Sequence, residues 1–354
     1  MVFIGFNAVQ LILFFIKIGF IMSTNTSSEY IMNKKLGAIS MLISATGMGL
    51  VGTFSRLTTS DLTDEYKSVI GSFLAFGRMT LAFIFFLVLL FITKKFGLFR
   101  KTKLSWSIVL GGVCIGLSLG CYVSSTLMTS IANAVFLIYT GPLFCAILSI
   151  VIRKDRASAL SYLFFLCVFV GMLLTIGIIN FDNGSLSFGL DLGNNPEFPQ
   201  KPLGDLLGLL SGVFYGLAMF FYGYRKDVDS VVRGVWNFFW AAVATLCMSI
   251  VLRPWGGVAT FKANHWFWAI GLFVFCGVIA LGFLIVAGRN LPAIEYTTIS
   301  YWETVVGVFL GYVVWHEALT VTTAIGGLLV IIGGLSPVFL EFFKKDKSEK
   351  VAAE

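Results

Sequence analysis

Two charged residues lie in the middle of long apolar stretches of this sequence. Arg78 lies near the middle of segment 68–92, and Glu303 lies at the centre of segment 292–315. A charge at the centre of a bilayer costs about 2.5–3.5 kcal/mol on insertion scales, so it is usually kept for a reason. A guanidinium binds carboxylate or phosphate groups, whereas a carboxylate binds a cationic group or takes up a proton.

Two interpretations of this pair are open. In one, Arg78 and Glu303 form a structural pair, or each bonds a backbone carbonyl of a broken helix. In the other, at least one of them lines a substrate path. On the second interpretation Glu303 binds a cation or a proton, and Arg78 binds an acid.

The spacing around Glu303 favours a helix that lines a cavity. Tyr296, Ser300, Glu303, Gly307 and Gly311 fall on one helical face, at intervals of three or four residues. That face is polar over one half and small over the other, and small residues allow close helix packing.

Aromatic residues at the same inferred depth form a second group, which includes a tyrosine near Pro142 and a pair next to Glu303. Such rings stack on flat substrates or hold an amine by cation–π attraction. Alternatively, these rings face lipid or the membrane interface. With 16% of the chain aromatic, many rings must do so. The complete candidate set for substrate binding or coupling is Arg78, Glu303, Tyr139, Trp236, Trp240, Ser300, Tyr301 and Trp302.

Other chemistry finds little support in the sequence. The two histidines, His265 and His316, are too few and too far apart for a metal site. No P-loop GxxxxGK[ST] occurs, which argues against ATP-driven pumping by this chain. The sequence therefore predicts no metal, no cofactor and no catalytic residue.

Composition identifies the elements that must position these residues. The 354 residues are 58% hydrophobic and 12% charged, with a mean hydropathy of +0.92. A soluble domain averages about 45–50% apolar and about 25% charged residues. The composition excludes a cytosolic enzyme and a disordered chain, and it indicates a polytopic membrane protein. Without a solvated basic domain, the net charge of +7 does not indicate nucleic-acid binding.

Ten apolar segments are each long enough to span a bilayer. They are 36–56, 68–92, 104–128, 130–152, 158–181, 203–224, 232–252, 265–288, 292–315 and 319–340. With the first segment entering from the cytoplasm, inner loops and ends hold 18 of the 25 Lys and Arg residues and outer loops hold 5. This asymmetry predicts that both termini are cytoplasmic.

The remaining segments are the two ends and one long loop. Residues 1–31 are unlike a secretory signal, because their only charge, Lys17, follows most of the apolar stretch. They are interpreted as an N-terminal extension, either a start-site artefact or an extra helix, because Met32-Asn33-Lys34-Lys35 resembles a natural start. Residues 182–202 form a turn-rich external loop, and residues 341–354 form a cytoplasmic tail.

An internal repeat relates the two halves of the chain. Residues 36–56 align with 203–223 at an offset of 167, with seven identities in 21 positions. Five helices per repeat is an odd number, so the two halves must have opposite topology. Inverted repeats around a midplane site are the architecture of secondary transporters.

These features resemble the drug/metabolite transporter superfamily, specifically its ten-helix members with two EamA domains. In that pattern the fourth and ninth helices carry a proline and end in Gly-Glu. Pro142 and Glu317 match, whereas Asp155, Thr304 and His316 stand at the positions of the first acid, the second proline and the glycine. Further resemblance lies in ATGMGLVGTFSR, AFGRMTLAF, SIANAVFLIYTGPLFCAILSIVIRKD, ISYWETVVGVFLGYVVWHEALT and GGLLVIIGG.

The expected fold is an all-α polytopic membrane protein with ten transmembrane helices in two inverted five-helix repeats, 34–181 and 203–340. The resemblance implies a transporter of small metabolites, in many members an exporter, that hydrolyses no nucleotide. Amino acids or amines are preferred as substrates, because one acid and one base suit a zwitterion. A membrane sensor or a membrane-embedded enzyme without flux is the alternative. We expect a plasma-membrane protein, monomeric or homodimeric, in which proton coupling remains open.

Overall fold

The protein is a bundle of helices that run back and forth between two ends. The computed structural model describes residues 33–154, 159–176, 178–182, 185–188, 198–222, 224, 228–291, 296, 299–317 and 319–334. The predicted extension 1–31 and the tail 341–354 lie outside these described residues.

The first half of the chain contains eight described helices. Its first helix begins behind Asn33, whose side chain accepts the backbone N–H of Leu36 and so caps the helix. The helices are α1 (Lys34–Gly49), α2 (Val51–Thr58), α3 (Asp64–Ile92), α4 (Phe96–Lys101), α5 (Trp106–Met128), α6 (Ile131–Ile138), α7 (Gly141–Arg153) and α8 (Ala159–Ile176).

The second half repeats a similar order. One helix is π-helical, a rare geometry in proteins. The described helices are α9 (Lys201–Tyr222), α10 (Ser230–Leu252), α11 (Trp255–Ala259), α12 (Ala263–Gly271), the π-helix Leu272–Ile279, α13 (Ala280–Asn290), α14 (Trp302–Trp315) and α15 (Val321–Gly334).

Seven helical stretches are long and apolar enough to cross a bilayer, and these coincide with seven of the ten predicted segments. They are Lys34–Thr58, Asp64–Ile92, Trp106–Met128, Ile131–Ile152, Lys201–Tyr222, Ser230–Leu252 and Ala263–Leu284. The other three predicted segments coincide with shorter apolar helices, namely Leu166–Thr175, Trp302–Trp315 and Val321–Gly333. The protein is therefore a helical membrane protein.

The all-α prediction needs one correction, because a two-stranded antiparallel hairpin lies between α8 and α9. Strand β1 (Ile179–Asp182) pairs with β2 (Ser185–Phe188), and Ile179 faces Phe188. Apolar and polar residues alternate along both strands, which is the period of a half-buried strand. Only two residues, Asn183-Gly184, separate the strands, and Asn-Gly is a strong hairpin signal. The predicted loop 182–202 thus begins inside a hairpin.

Contacts between loops define the two ends of the bundle. We call the end at which α1 begins the near end, and the end at which α2 finishes the far end. At the near end the backbone N–H of Asn33 donates to Oδ1 of Asn290 (3.1 Å). Lys95 pairs there with Asp229 across 2.8 Å. These contacts tie the start of α1 to the end of α13, and the end of α3 to the start of α10.

Helix α5 packs closely against α10 through Gly112, Gly116 and Gly120, which are spaced four residues apart. A Cβ atom at Gly116 would lie 2.6 Å from the carbonyl oxygen of Ala241. The sequence predicts close helix packing from this spacing, and the structure confirms it. Such a contact leaves no room for a side chain at Gly116.

We expect Gly116→Ala to lower the free energy of unfolding by about 1–3 kcal/mol, because the added methyl group must displace backbone. The measurement is thermal or denaturant unfolding of the purified protein in detergent. Gly97→Ala is the matched control, because nothing lies within 4 Å of a Cβ at that position. Equal stability of the two variants would contradict the close α5–α10 contact.

Candidate functional site

Two interrupted helices meet inside the bundle. The helix α6 is interrupted at Tyr139, and Pro142 lies in the first turn of the following helix, α7. Proline has no N–H and clashes with the carbonyl four residues before it, so one continuous helix cannot form. Helix α14 likewise begins directly after Tyr301. The rings of Tyr139 and Tyr301 lie 5.1 Å apart, which places the two interruptions side by side.

Glu303 is held at this meeting point. It lies in the first turn of α14, where the positive end of the helix dipole favours a negative charge. The Tyr139 hydroxyl lies 2.9 Å from Oε2 of Glu303 and 3.1 Å from the carbonyl oxygen of Ser300. The hydroxyl thus lies within hydrogen-bond distance of both acceptors, and it links the carboxylate to the interrupted backbone.

Arg78 is fully buried on α3 and faces the π-helix. Its Nε donates to the carbonyl oxygen of Cys276 at 3.0 Å, and one terminal nitrogen, Nη2, contacts Sδ of Met48 at 2.7 Å. The other terminal nitrogen, Nη1, has no hydrogen-bond partner among the described residues. Within the described part of the chain no ion pair joins Arg78 to Glu303. Arg78 is thus held by a backbone carbonyl and keeps one donor for another group.

Arg78, Tyr139 and Glu303 line a common cavity of about 480 Å³. Its wall is mostly apolar, with a few charged and hydroxyl groups, as is typical of small-molecule sites. The described lining residues are Met48, Arg78, Ile115, Leu119, Tyr122, Ile138, Tyr139, Tyr215, Met219, Tyr222, Ser230, Arg233, Gly234, Asn237, Phe238, Leu281, Leu284, Tyr296 and Glu303.

The cavity extends from the helix interruptions towards the near end. At its inner limit it is lined by Tyr139 and Glu303, and at its other limit by Ser230 and Arg233. The last two residues belong to the first turn of α10, at the near end. The cavity therefore reaches from the middle of the bundle to the near end.

Of the eight predicted residues, Arg78, Tyr139 and Glu303 thus line the same cavity. Two more, Ser300 and Tyr301, contact Tyr139. Ser300 supplies the carbonyl that the Tyr139 hydroxyl approaches, and Tyr301 packs its ring against the Tyr139 ring. Neither Ser300 nor Tyr301 is among the described residues that line the cavity.

The three predicted tryptophans lie elsewhere and likewise do not line the described cavity. Trp236 stacks on Phe99, with ring centroids 4.9 Å apart. Trp240 packs edge-to-face against Phe239, with ring centroids 5.2 Å apart. Trp302 is 43% exposed on the bundle surface. These positions agree with the alternative interpretation of the aromatic residues, in which they pack against other helices or contact lipid.

Several cavity residues did not enter the candidate set drawn from the sequence. Tyr215, Met219 and Tyr222 form one stripe on α9 at intervals of four and three residues, and Arg233 and Asn237 lie four residues apart on α10. This helical spacing of hydroxyl, amide and charged groups was the available signal. Arg233 was counted among the inner-loop charges, because it is the second residue of the predicted segment 232–252.

A buried ion pair closes the far end. Arg56, at the end of α2, lies 2.5 Å from Glu317, and the two side chains are 11% and 6% exposed. Arg56 also donates to the carbonyl oxygens of Thr126 and Thr129, both at 2.8 Å. Both oxygens of Glu317 accept the backbone N–H of Ile131, the first residue of α6. The pair therefore joins the ends of α2, α5 and α14 to the start of α6.

A second buried network lies beside this pair. Asp205, on α9, is 2% exposed. Its oxygens accept from Thr129 (2.6 Å), from Asn133 (3.2 Å) and from Lys201 (2.7 Å). Arg56 also lines a separate cavity of about 280 Å³ at the far end. Two neighbouring polar clusters thus lie at the far end, and one of them contributes Arg56 to the far-end cavity.

Comparison with known proteins agrees with this geometry. The model of the EamA-like transporter family matches residues 35–177 and 202–336. The two matches together cover more than half of the chain, so this protein belongs to the EamA-like transporter family. The resemblance to EamA-domain members of the drug/metabolite transporter superfamily is confirmed.

The names of two similar curated proteins give no substrate. The chain is 22% identical to the uncharacterized transporter YoaV of Bacillus subtilis (strain 168) over 204 residues, which are 56% of this chain and 63% of YoaV. The chain thus spans less than two thirds of that relative. It is 23% identical to an uncharacterized transporter of Archaeoglobus fulgidus over 301 residues, 85% of this chain and 96% of the relative. A solved crystal structure matches 87% of this chain and 98% of its own, with a TM-score of 0.50 and 14% identity, and so shows the fold.

We expect Tyr139→Phe and Glu303→Gln to be energetically coupled, because the first removes the donor of a buried hydrogen bond and the second removes the charge of its acceptor. A double-mutant cycle on the free energy of unfolding should give a coupling of about 0.5–3 kcal/mol. The control cycle pairs Glu303→Gln with Tyr312→Phe, on the same helix but 65% exposed. Coupling no larger than in the control cycle would contradict the hydrogen bond.

Proposed function

We propose that this protein is a secondary transporter that moves small organic metabolites by alternating access, without nucleotide hydrolysis. One observation carries the proposal. The central cavity contains Arg78 and Glu303 and reaches the near end, while the Arg56–Glu317 pair closes the far end. A substrate site that faces one end while the other is shut is one state of an alternating-access cycle.

The proposed architecture is ten spanning helices in two inverted repeats. Helix packing supports it, because contacts between the halves come in exchanged pairs: α5 packs on α9, and its counterpart α13 packs on α1. The second helices of the two halves, α3 and α10, pack on each other, and so do the fifth helices, α8 and α15. If a two-fold axis relates the two halves, each contact between a helix of one half and a helix of the other has such a counterpart with the halves swapped. The two separate family matches are consistent with it.

The proposed substrate is a zwitterion such as an amino acid, with simple amines as the alternative. Arg78 keeps Nη1 for a carboxylate, and Glu303 offers an acceptor for an ammonium group or takes up a proton. The tyrosines that line the cavity supply hydroxyl groups and flat apolar surface for the rest of the ligand.

The proposed orientation places the near end and both termini in the cytoplasm. The support is the excess of Lys and Arg in the loops and ends that the sequence predicts to be inner, which hold 18 of the 25 in the whole chain. The described cavity then opens towards the cytoplasm, which suits loading of an exporter. We place the protein in the plasma membrane. No step of the cycle requires a second copy of the chain.

Transport itself is the first test. The purified full chain is reconstituted in liposomes, and counterflow of labelled amino acids and amines is measured without nucleotide. We expect exchange of at least one amino acid, and a loss of about tenfold or more in Arg78→Gln and in Glu303→Gln, because a charge-assisted hydrogen bond contributes about 1.5–3 kcal/mol.

The control for this test is Arg100→Gln, which removes an exposed charge outside the described cavity lining. Monodispersity and thermal stability are recorded for each variant. Wild-type rates in well-folded Arg78→Gln and Glu303→Gln would contradict a substrate role. Loss of folded protein in both would support the structural interpretation instead.

The far-end closure gives a second test. We expect Arg56→Gln to loosen the far end, because Glu317 then keeps a buried charge without its partner, which costs about 3–5 kcal/mol. Hydrogen–deuterium exchange should rise in peptides covering 126–138, which include the Ile131 amide, and stay unchanged in peptides covering 228–240 at the near end. Arg100→Gln again controls for charge removal. Equal uptake in all three proteins would show that the pair does not hold the far end.

A further inference from the structure

Two buried hydrogen-bond donors of the central cavity have no partner among the described residues. They are Nη1 of Arg78 and the hydroxyl of Tyr122, and these residues are 0% and 1% exposed. Of the described residues that line the cavity, only these two have a buried side-chain nitrogen or oxygen without a partner. A buried donor without an acceptor costs free energy, and a ligand that supplies the acceptor removes this cost.

The fold brings the two donors towards each other. Arg78 lies on α3 and Tyr122 on α5, which pack on each other and run in opposite directions. A Cβ atom at Gly71 of α3 would lie 2.6 Å from Cα of Ser124 on α5, so Arg78 is nearer the near end than Tyr122. Long helical side chains lean towards the start of their own helix. The guanidinium therefore leans towards the far end and the phenol towards the near end, and the two groups converge.

Other tyrosines that line the cavity differ from Tyr122 in this respect. The Tyr139 hydroxyl lies 2.9 Å from Oε2 of Glu303, and the Tyr222 hydroxyl donates to Oδ1 of Asn237 at 2.6 Å. Their hydrogens are engaged within the protein. The hydrogen of the Tyr122 hydroxyl is left for a group that enters the cavity.

The chemistry of the two donors defines the group that fits between them. A carboxylate has two oxygens that only accept, so it can take one hydrogen bond from the guanidinium and one from the phenol. An ammonium group has no acceptor and satisfies neither donor. A carboxamide offers a single neutral oxygen, and its NH₂ group is itself a donor. The pair therefore favours a carboxylate over an amide or an amine.

We infer that Tyr122 is a further substrate-binding residue, whose hydroxyl and Nη1 of Arg78 bind the two oxygens of one substrate carboxylate. The substrate class is then an α-amino acid and not a simple amine. Glu303 is left to bind the ammonium group of the same molecule. This inference rests on the proposed transport function and narrows its substrate.

The test compares ligands that differ at the carboxylate. Counterflow by the reconstituted full chain is measured with L-phenylalanine, L-phenylalaninamide and phenethylamine, and with L-leucine, L-leucinamide and isoamylamine. Their apolar side chains suit the mostly apolar wall of the cavity. We expect each amino acid to be exchanged at least about tenfold more efficiently than its amide and its amine, because hydrogen bonds to a charged group are the stronger ones.

Tyr122→Phe tests the residue directly, because it removes the hydroxyl and keeps the ring. We expect KM for L-phenylalanine to rise about tenfold while KM for phenethylamine stays unchanged. Ser124→Ala is the matched control, since it removes another buried hydroxyl of α5 that has no partner among the described residues and lies outside the described cavity lining. We expect both variants to keep the wild-type melting temperature, because neither leaves a buried partner unsatisfied.

The outcomes separate this inference from the proposed function. Exchange of amides or amines as efficient as that of the amino acids overturns the inference and leaves the transport function in place. A wild-type preference for L-phenylalanine in Tyr122→Phe overturns the assignment to Tyr122. An equal loss of exchange for L-phenylalanine and phenethylamine in that variant means a structural role and also overturns it. No exchange of any amino acid or amine by folded protein overturns both the inference and the proposed function.

Discussion

The cost of a charge inside a bilayer governs this structure. Arg78 is fully buried, and the lipid around the bundle offers it no hydrogen bonds. Its partners are therefore the carbonyl of Cys276 and the sulfur of Met48. Glu303 is likewise held by the Tyr139 hydroxyl. Both charges need polar partners within the bundle, and the interrupted and π-helical segments supply part of them.

Interrupted helices fit a membrane protein only where something else satisfies their backbone. At the interruption before α14 the Ser300 carbonyl is approached by the Tyr139 hydroxyl, and at the start of α6 the Ile131 amide is bonded by Glu317. Close glycine contacts, such as Gly116 against α10, keep the surrounding helices near enough to make these bonds. The same side chains thus satisfy the backbone and line or close the cavity.

Hydropathy was enough to predict the helical segments and the two central charges, because an Arg or Glu stands out against an apolar run. Tyr139 was also predicted, through its place beside Pro142. Which way each helical face points depends on contacts between helices, and these cannot be predicted from hydropathy. Trp236 and Trp240 were therefore included among the candidate residues, although they pack on Phe99 and Phe239. Arg233 was overlooked because a charge one turn from a helix start is indistinguishable in sequence from a loop charge. The β-hairpin was overlooked because its strands are only four residues long.

The choice of an ion pair to close the far end has a physical consequence. A buried salt bridge gives little net stability, because desolvation of both charges offsets most of their attraction. In the proposed cycle, opening of the far end returns Arg56 and Glu317 to water, and the far-end cavity that Arg56 lines also has Thr59, Ser60 and Asp64 among its lining residues. A large apolar seal would instead expose hydrocarbon to water on opening, at about 25 cal/mol for each Å². In the proposed alternating-access cycle, an ion pair would therefore keep the open and closed states close in free energy.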